Sequence, residues 1–236
     1  MKNRKSTVIK LLVMTLLFCS CVKIKEDKVP WKELFDGKTL IGWNQKGGQA
    51  IYRVDEGCIV GVSVENSPNS FLTTNSFYDD FILELEFKVD SVLNSGIQIR
   101  SNSFPNFKDG RVHGYQVEID PTQRAMSGGI YDESRRGWLY KLDENPNAQK
   151  AFERLKWNHY RIEAIGDTIK TWINGVPAAH LIDKKTKTGF IGLQVHSLHK
   201  GESPGSKIAW RSIRVLTDNP TKYSKKMSLK PKLTIP

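Results

Sequence analysis

The stretch Gly114-Tyr-Gln-Val-Glu-Ile-Asp120 alternates strictly, with Gln116, Glu118 and Asp120 on one side and Tyr115, Val117 and Ile119 on the other. A two-residue period is that of a strand with one polar and one apolar face. Directly after it comes Ser127-Gly-Gly-Ile-Tyr-Asp-Glu-Ser-Arg-Arg-Gly-Trp138. A face wetted only by solvent has no need of an amide and two carboxylates in line, with aromatic and arginine side chains arriving from the next loop. The grouping points to a polar ligand, sugar-like in its demands, bound on the face of a sheet.

The same alternation recurs outward in both directions. Ile51–Val54, Cys58–Gly61, Phe81–Val89, Gly96–Arg100, Tyr160–Ile165, Thr168–Ile173, Gly189–Val195 and Ile208–Val215 read as short strands separated by Gly, Asn, Asp or Pro. Gly166-Asp167 joins two of them. Asn174-Gly175 is a preferred two-residue hairpin turn, since both residues tolerate positive φ. Helical pattern is confined to Pro146–Leu155, where Asn145 can cap a short helix that has Pro146 in its first turn. Many strands and almost no helix predict an all-β sandwich in one domain, over residues 31–218.

The termini are different in kind. Lys2, Arg4, Lys5 and Lys10 precede an apolar run at residues 11–18, too short to span a bilayer, which ends in Phe18-Cys-Ser-Cys21. That is the form of an export signal, and residues 1–21 are expected to be a lipoprotein signal with Cys21 the lipidated residue. The expected location is the cell envelope, with membrane contact only through the lipid; ordinary signal cleavage nearby is the alternative. Residues 22–30 form a charged tether. Of the net charge of +11, residues 1–21 carry four units, 22–30 one and 219–236 five, which leaves +1 on the body. The basic excess therefore belongs to a signal and a Lys/Pro tail, expected to be extended or disordered, and argues against a nucleic-acid partner. With Cys19 and Cys21 accounted for, Cys58 has no partner for a disulfide and is expected to be a small buried hydrophobe.

Five motifs in order carry a family likeness: Leu34-Phe-Asp-Gly-Lys-Thr-Leu-Ile-Gly-Trp43, Asn94-Ser-Gly-Ile-Gln-Ile-Arg100, Trp157-Asn158, Ile173-Asn-Gly175 and Gly189-Phe-Ile-Gly-Leu-Gln-Val-His196. With them, residues 31–216 resemble the 3-keto-disaccharide hydrolase domain family. The resemblance implies a concanavalin-like jelly roll of two curved antiparallel sheets, with a ligand groove on the concave face, in an exported protein. Relative to the order usual in that family, Gln116 and Glu118 stand swapped, and the Tyr131–Trp138 loop is a variant form.

The implied substrate is a glycoside already oxidised to a ketone at C3. The ketone acidifies the hydrogen on C2, the C1 substituent then leaves by elimination, and water adds afterwards. Such a site needs a base near C2, a positive group at the C3 oxygen and an acid for the leaving group; an ordinary glycosidase needs two carboxylates flanking C1. Glu118 or His196 is the candidate base, Arg100 the candidate for the enolate oxygen, and Tyr131, Arg135 or Arg136 the acid or hydroxyl ligands. Gln98, Gln116, Asp120, Asp132 and Gln194 are candidate sugar contacts, and Trp138 and Trp172 candidate stacking platforms. A divalent cation held by Glu118, Asp120 and His113 or His196 is the alternative electrophile, although the histidine spacing carries no metal motif. Against each stands a plainer role: surface ion pairs for Glu118 and Asp120, a structural histidine at 196, and Arg135 and Arg136 paired with Asp132 and Glu133. A glycan-binding protein without catalysis, or a structural envelope protein, would fit the same sandwich.

Overall fold

The computed structural model describes residues 29–90, 92–198 and 203–234. The signal segment with Cys21, the tether up to residue 28 and His199 lie outside the described residues.

Two sheets face each other. The seven-stranded one runs in the order β10 (Gly137–Tyr140), β9 (Ile130–Glu133), β8 (His113–Ile119), β7 (Ser95–Asn102), β14 (Phe190–Val195), β5 (Ser70–Thr74), β2 (Trp43–Gly47). The second follows β16 (Lys232–Leu233), β13 (Val176–Ile182), β12 (Thr168–Ile173), β11 (Asn158–Ile165), β6 (Phe81–Val89), β15 (Lys207–Leu216), β4 (Cys58–Val62), β3 (Ile51–Asp55), and β1 (Lys32–Glu33) adds to β15. Every pairing is antiparallel except β13 with β16. This is the all-β sandwich that the alternation predicts, in the jelly-roll form that the family resemblance implies.

The core lies between the sheets. Ile97, Ile99, Tyr115, Val117, Ile119 and Leu193 from one meet Leu83, Leu85, Phe87, Tyr160, Ile162 and Trp210 from the other. Each fully buried side chain of this size contributes about 1.5–3 kcal/mol, so no disulfide is needed to hold the sandwich. Cys58 is buried and free, and burial raises its thiol pKa.

Asn174 and Gly175 both adopt positive φ, at 48° and 81°, as their hairpin turn requires. The helix α1 (Pro146–Ala151) is four residues shorter than the sequence pattern allows. Asn145 does cap it, accepting from the Ala148 N–H at 3.2 Å. The chain leaves it at Phe152, which is extended, because Asn158 draws the backbone of Glu153 and Lys156 into side-chain hydrogen bonds.

The tail opens with a 3₁₀ turn at Pro220–Tyr223 and then runs extended, held in place along its described length. Glu163 accepts from Ser224 Oγ at 2.6 Å and from the Lys225 N–H at 2.9 Å, and Arg161 donates to the Tyr223 carbonyl at 2.7 Å. Further on, His180 Nδ1 lies 2.7 Å from the Leu229 carbonyl, and β16 pairs with β13. Composition alone misses this, because the partners are polar groups on a distant strand rather than an apolar face of the tail itself.

Candidate functional site

Because the odd-numbered residues of β8 face the core, its polar residues lie on the outer face of the seven-stranded sheet. The register carries that face across neighbouring strands as one row: Trp138, Tyr131, Gln116, Gln98, Gly192, Thr73, Asn44. The next row holds Glu118 opposite Gly96, and Gln194 opposite Phe71. The connection between β7 and β8 lies over part of this face, where Val112 packs with Phe71 and Phe190. Gln98, Gln116, Glu118 and Gln194 are consequently all buried.

A one-way chain of amides ends on Glu118. Ser101 Oγ donates to Gln98 Oε1 at 2.7 Å, Gln98 Nε2 donates to Gln116 Oε1 at 2.5 Å, and Gln116 Nε2 donates to Glu118 Oε2 at 2.9 Å. Asn94 Nδ2 donates to the other oxygen at 2.7 Å. Every donor points at the carboxylate, which favours its charged form, yet burial outweighs them and pushes its pKa up to about 7. Gly96 makes this possible: a Cβ there would lie 2.4 Å from Gln116 Cδ, so any side chain would displace the Gln116 amide.

Around Glu118 stand groups of distinct kinds. Arg124 Nη2 is 4.0 Å from its Oε1 while Arg124 Nε pairs with Asp120 Oδ2 at 3.0 Å. Asp120 also accepts from the Thr122 amide and hydroxyl. The Tyr131 ring meets the Trp138 ring edge-on at 5.4 Å. Burial, then the nearby Glu133 and Glu118 carboxylates, raise the Tyr131 pKa and keep its phenol protonated. Gln194 is buried with neither Nε2 nor Oε1 hydrogen-bonded among the described residues. Buried amides are normally satisfied by protein groups or ordered water, so Gln194 has hydrogen-bonding capacity that its protein neighbours do not use. His196 follows at the end of β14, with Nδ1 2.6 Å from the Ser197 carbonyl. A carbonyl only accepts, so Nδ1 carries the proton.

Other candidates from the sequence stand elsewhere. Alternation places Arg100 on the face of Gln98, but at φ 45° the backbone bulges. Arg100 donates instead to the Asp79 and Gly166 carbonyls and to Asp80, tying two turns together. Trp172 is on β12 of the other sheet, opposite Arg161. Asp132, opposite Tyr115 on β8, lies on the reverse of the polar face. Arg135 and Arg136 pair with Asp132, as does Arg136 with Asp183 at 2.8 Å; Tyr115 and Thr234 also bond Asp183. These five residues are therefore not assembled with Glu118.

His113 opens β8 at the end away from Glu118, about 17 Å along the strand. Its ring is 3.9 Å from that of Phe107. It cannot share a cation with Glu118. Among the described residues no three His, Cys, Asp or Glu side chains are set to hold a metal. Both oxygens of Glu118 accept from amides and Asp120 Oδ1 from Thr122, while Asp120 Oδ2, which makes no hydrogen bond among the described residues, is held against the Arg124 guanidinium at 3.0 Å. That donor set does not fit a resident cation.

Two site residues escaped the sequence. Asn94 precedes its strand, outside any alternation. Arg124 sits four residues after Asp120 in a loop, a spacing meaningful only once the loop closes.

A family model, the 3-keto-alpha-glucoside-1,2-lyase-like domain, matches residues 30–216. The chain belongs to that family. Its fold has wide company among solved structures. One from Parabacteroides distasonis ATCC 8503, provisionally designated a glycosyl hydrolase, is 16% identical, with a TM-score of 0.57 over 80% of this chain and 94% of that one. A second of the same designation and source is 23% identical, with a TM-score of 0.54 over 78% and 98%. A Bacillus subtilis protein with a galectin-like fold is 11% identical, with a TM-score of 0.58 over 79% and 98%. At such identities the likeness is one of fold. No curated protein matches the chain.

Proposed function

We propose that the protein cleaves 3-keto-glycosides, with Glu118 as the base that removes the C2 proton. The observation that carries this is the one-way amide chain ending on a buried carboxylate whose pKa is raised to about 7. A base poised near neutral pH takes a proton efficiently and still exists in its charged form. Family membership supports the substrate class.

In this reading Glu118 takes the C2 proton and the electron pair moves toward the C3 oxygen as an enolate. Arg124 is the cation nearest Glu118 and stabilises that charge. As the enolate collapses, the C1–O bond breaks, a C1–C2 double bond forms, and the leaving oxygen takes the Tyr131 proton. Addition of water across the double bond completes net hydrolysis. Gln194 bonds a sugar hydroxyl, Trp138 packs on an apolar sugar face, and His196 borders the site. The substrate is an oligosaccharide or glycoside, met in the cell envelope if Cys21 carries the lipid its sequence context implies.

The test is release of p-nitrophenol from the 3-keto-glucoside and from its unoxidised parent. Release from the keto compound alone, lost in Glu118→Gln, is the expected result. Glycan binding without release from either compound would make this a binding protein instead.

A further inference from the structure

A cavity of about 610 Å³ opens beside Trp138, walled on one side by β10 and the chain leading to α1, and on the other by the C-terminal tail. Its size falls within the ~300–1,000 Å³ of small-molecule sites. Tyr140, Lys141, Asp143 and Glu144 line the first wall, and Lys230 and Lys232 the second. Charges of both signs in one cavity suit a neutral polyol, whose hydroxyls donate and accept, better than an anion. The wall is prebuilt, since the bond of His180 with the Leu229 carbonyl and the β13–β16 pairing fix the tail on either side of Lys230.

Trp138 joins the cavity to the site. Its Cζ3 lies 3.2 Å from where a Gly129 Cβ would be, and the Gly129 carbonyl accepts from the Glu118 N–H at 3.0 Å across the strand pair. The indole thus leans over a position without a side chain, directly alongside Glu118, while also lining the cavity.

We propose that this cavity is a subsite for the second sugar of a 3-keto-disaccharide, the leaving group, with the Trp138 indole as the wall it shares with the keto sugar at Glu118. The assignment of the keto sugar rests on the reading of Glu118 as the base. The cavity adds only binding energy to that chemistry, so its loss falls on substrates that carry a second sugar.

The experiment measures kcat and KM of the full chain on a 3-keto-disaccharide and on methyl 3-keto-glucoside, for wild type, Tyr140→Ala and Lys230→Ala. Tyr140→Ala is expected to lower kcat/KM on the disaccharide about tenfold, mainly through KM, and to leave the methyl glycoside unchanged. Lys230→Ala, exposed and away from the core, is expected to act in the same direction by a few-fold. Equal losses on both substrates, or none on either, would overturn the subsite. A titration of the unoxidised disaccharide followed by tryptophan fluorescence separates this from failure of the base. Binding lost in Tyr140→Ala without turnover by wild type keeps the cavity and removes the base; binding equal in wild type and variant removes the cavity.

Discussion

Two buried carboxylate clusters flank β8, and they are held by opposite means. On the outer face Glu118 is gripped by neutral amides, with Arg124 no nearer than 4.0 Å, and burial raises its pKa to about 7. On the reverse, Asp183 and Asp132 take Arg136 between them, and the Asp183 carboxyl is held far below the ordinary range: burial opposes this, but Arg136, Thr234, Tyr115 and the Lys185 N–H outweigh it. A carboxylate neutralised by guanidinium has no appetite for a proton, and its removal leaves the groups that donate to it short of an acceptor. One surrounded by amides keeps that appetite. Both carboxylates are closed to solvent, but Glu118 is packed more deeply than Asp183, so depth of burial and kind of partner together separate architecture from chemistry.

The largest expected effect falls on the first cluster. Glu118→Gln keeps the shape but removes the base, and kcat on a 3-keto-glycoside should fall about 10²–10⁴-fold, with glycan binding retained and no loss of stability. A loss under tenfold would hand the base to His196. For the second cluster the effect should appear in stability alone. Asp183→Ala leaves Arg136 with Asp132 alone and strips the buried Tyr115 hydroxyl of its acceptor, and should cost about 1–3 kcal/mol in denaturant unfolding, with kcat unchanged while the protein is folded. A fall in kcat at full folding would mean that the cluster reaches the site.

Much of this contrast was legible in the sequence, and the rest for clear reasons was not. Alternation located most of the larger sheet and the three central strands of the seven-stranded one, and put Gln98, Gln116, Glu118 and Gln194 on polar faces. It did not pick out Val176–Ile182, where Pro177 and two alanines blur the period, nor the short strands Trp43–Gly47, Ser70–Thr74, Ile130–Glu133 and Gly137–Tyr140. Period two also cannot see a bulge: Arg100 shares parity with Gln98 but is turned away by its positive φ. Asp132 and Glu118 are both acidic residues in strands, and nothing local tells which will meet a guanidinium. Asp183, which completes the reverse cluster, comes from 51 residues beyond Asp132, at the end of β13. Charge pairing over that distance is a property of the fold.

Stability measured against pH sharpens the comparison further. Below the ordinary carboxyl pKa of 4.5, Glu118 is protonated in both folded and unfolded chains. As pH rises from there to about 7, the unfolded chain ionises while the folded one holds its proton, so the folded state loses stability. The full deficit, about 3 kcal/mol, remains above pH 7. Glu118→Gln should therefore gain about 3 kcal/mol relative to wild type between pH 4 and pH 8. Asp183→Ala should run the other way, its deficit largest at neutral pH and shrinking in strong acid. Parallel curves for the two variants would erase the distinction drawn here.

The finest test alters one amide. Gln116 donates to Glu118 Oε2 and accepts from Gln98, so Gln116→Leu removes a donor to the charged carboxylate and breaks the chain behind it. The wild-type rate should climb tenfold per pH unit below about 7 and level off above it. In Gln116→Leu, with desolvation retained and a stabilising hydrogen bond gone, the bend should move up by about one unit, worth about 1.4 kcal/mol. The plateau at high pH should change little, since the base itself is intact. A bend that stays at the same pH while the plateau drops would mean that Gln116 serves the substrate directly, and that the amide chain tunes nothing.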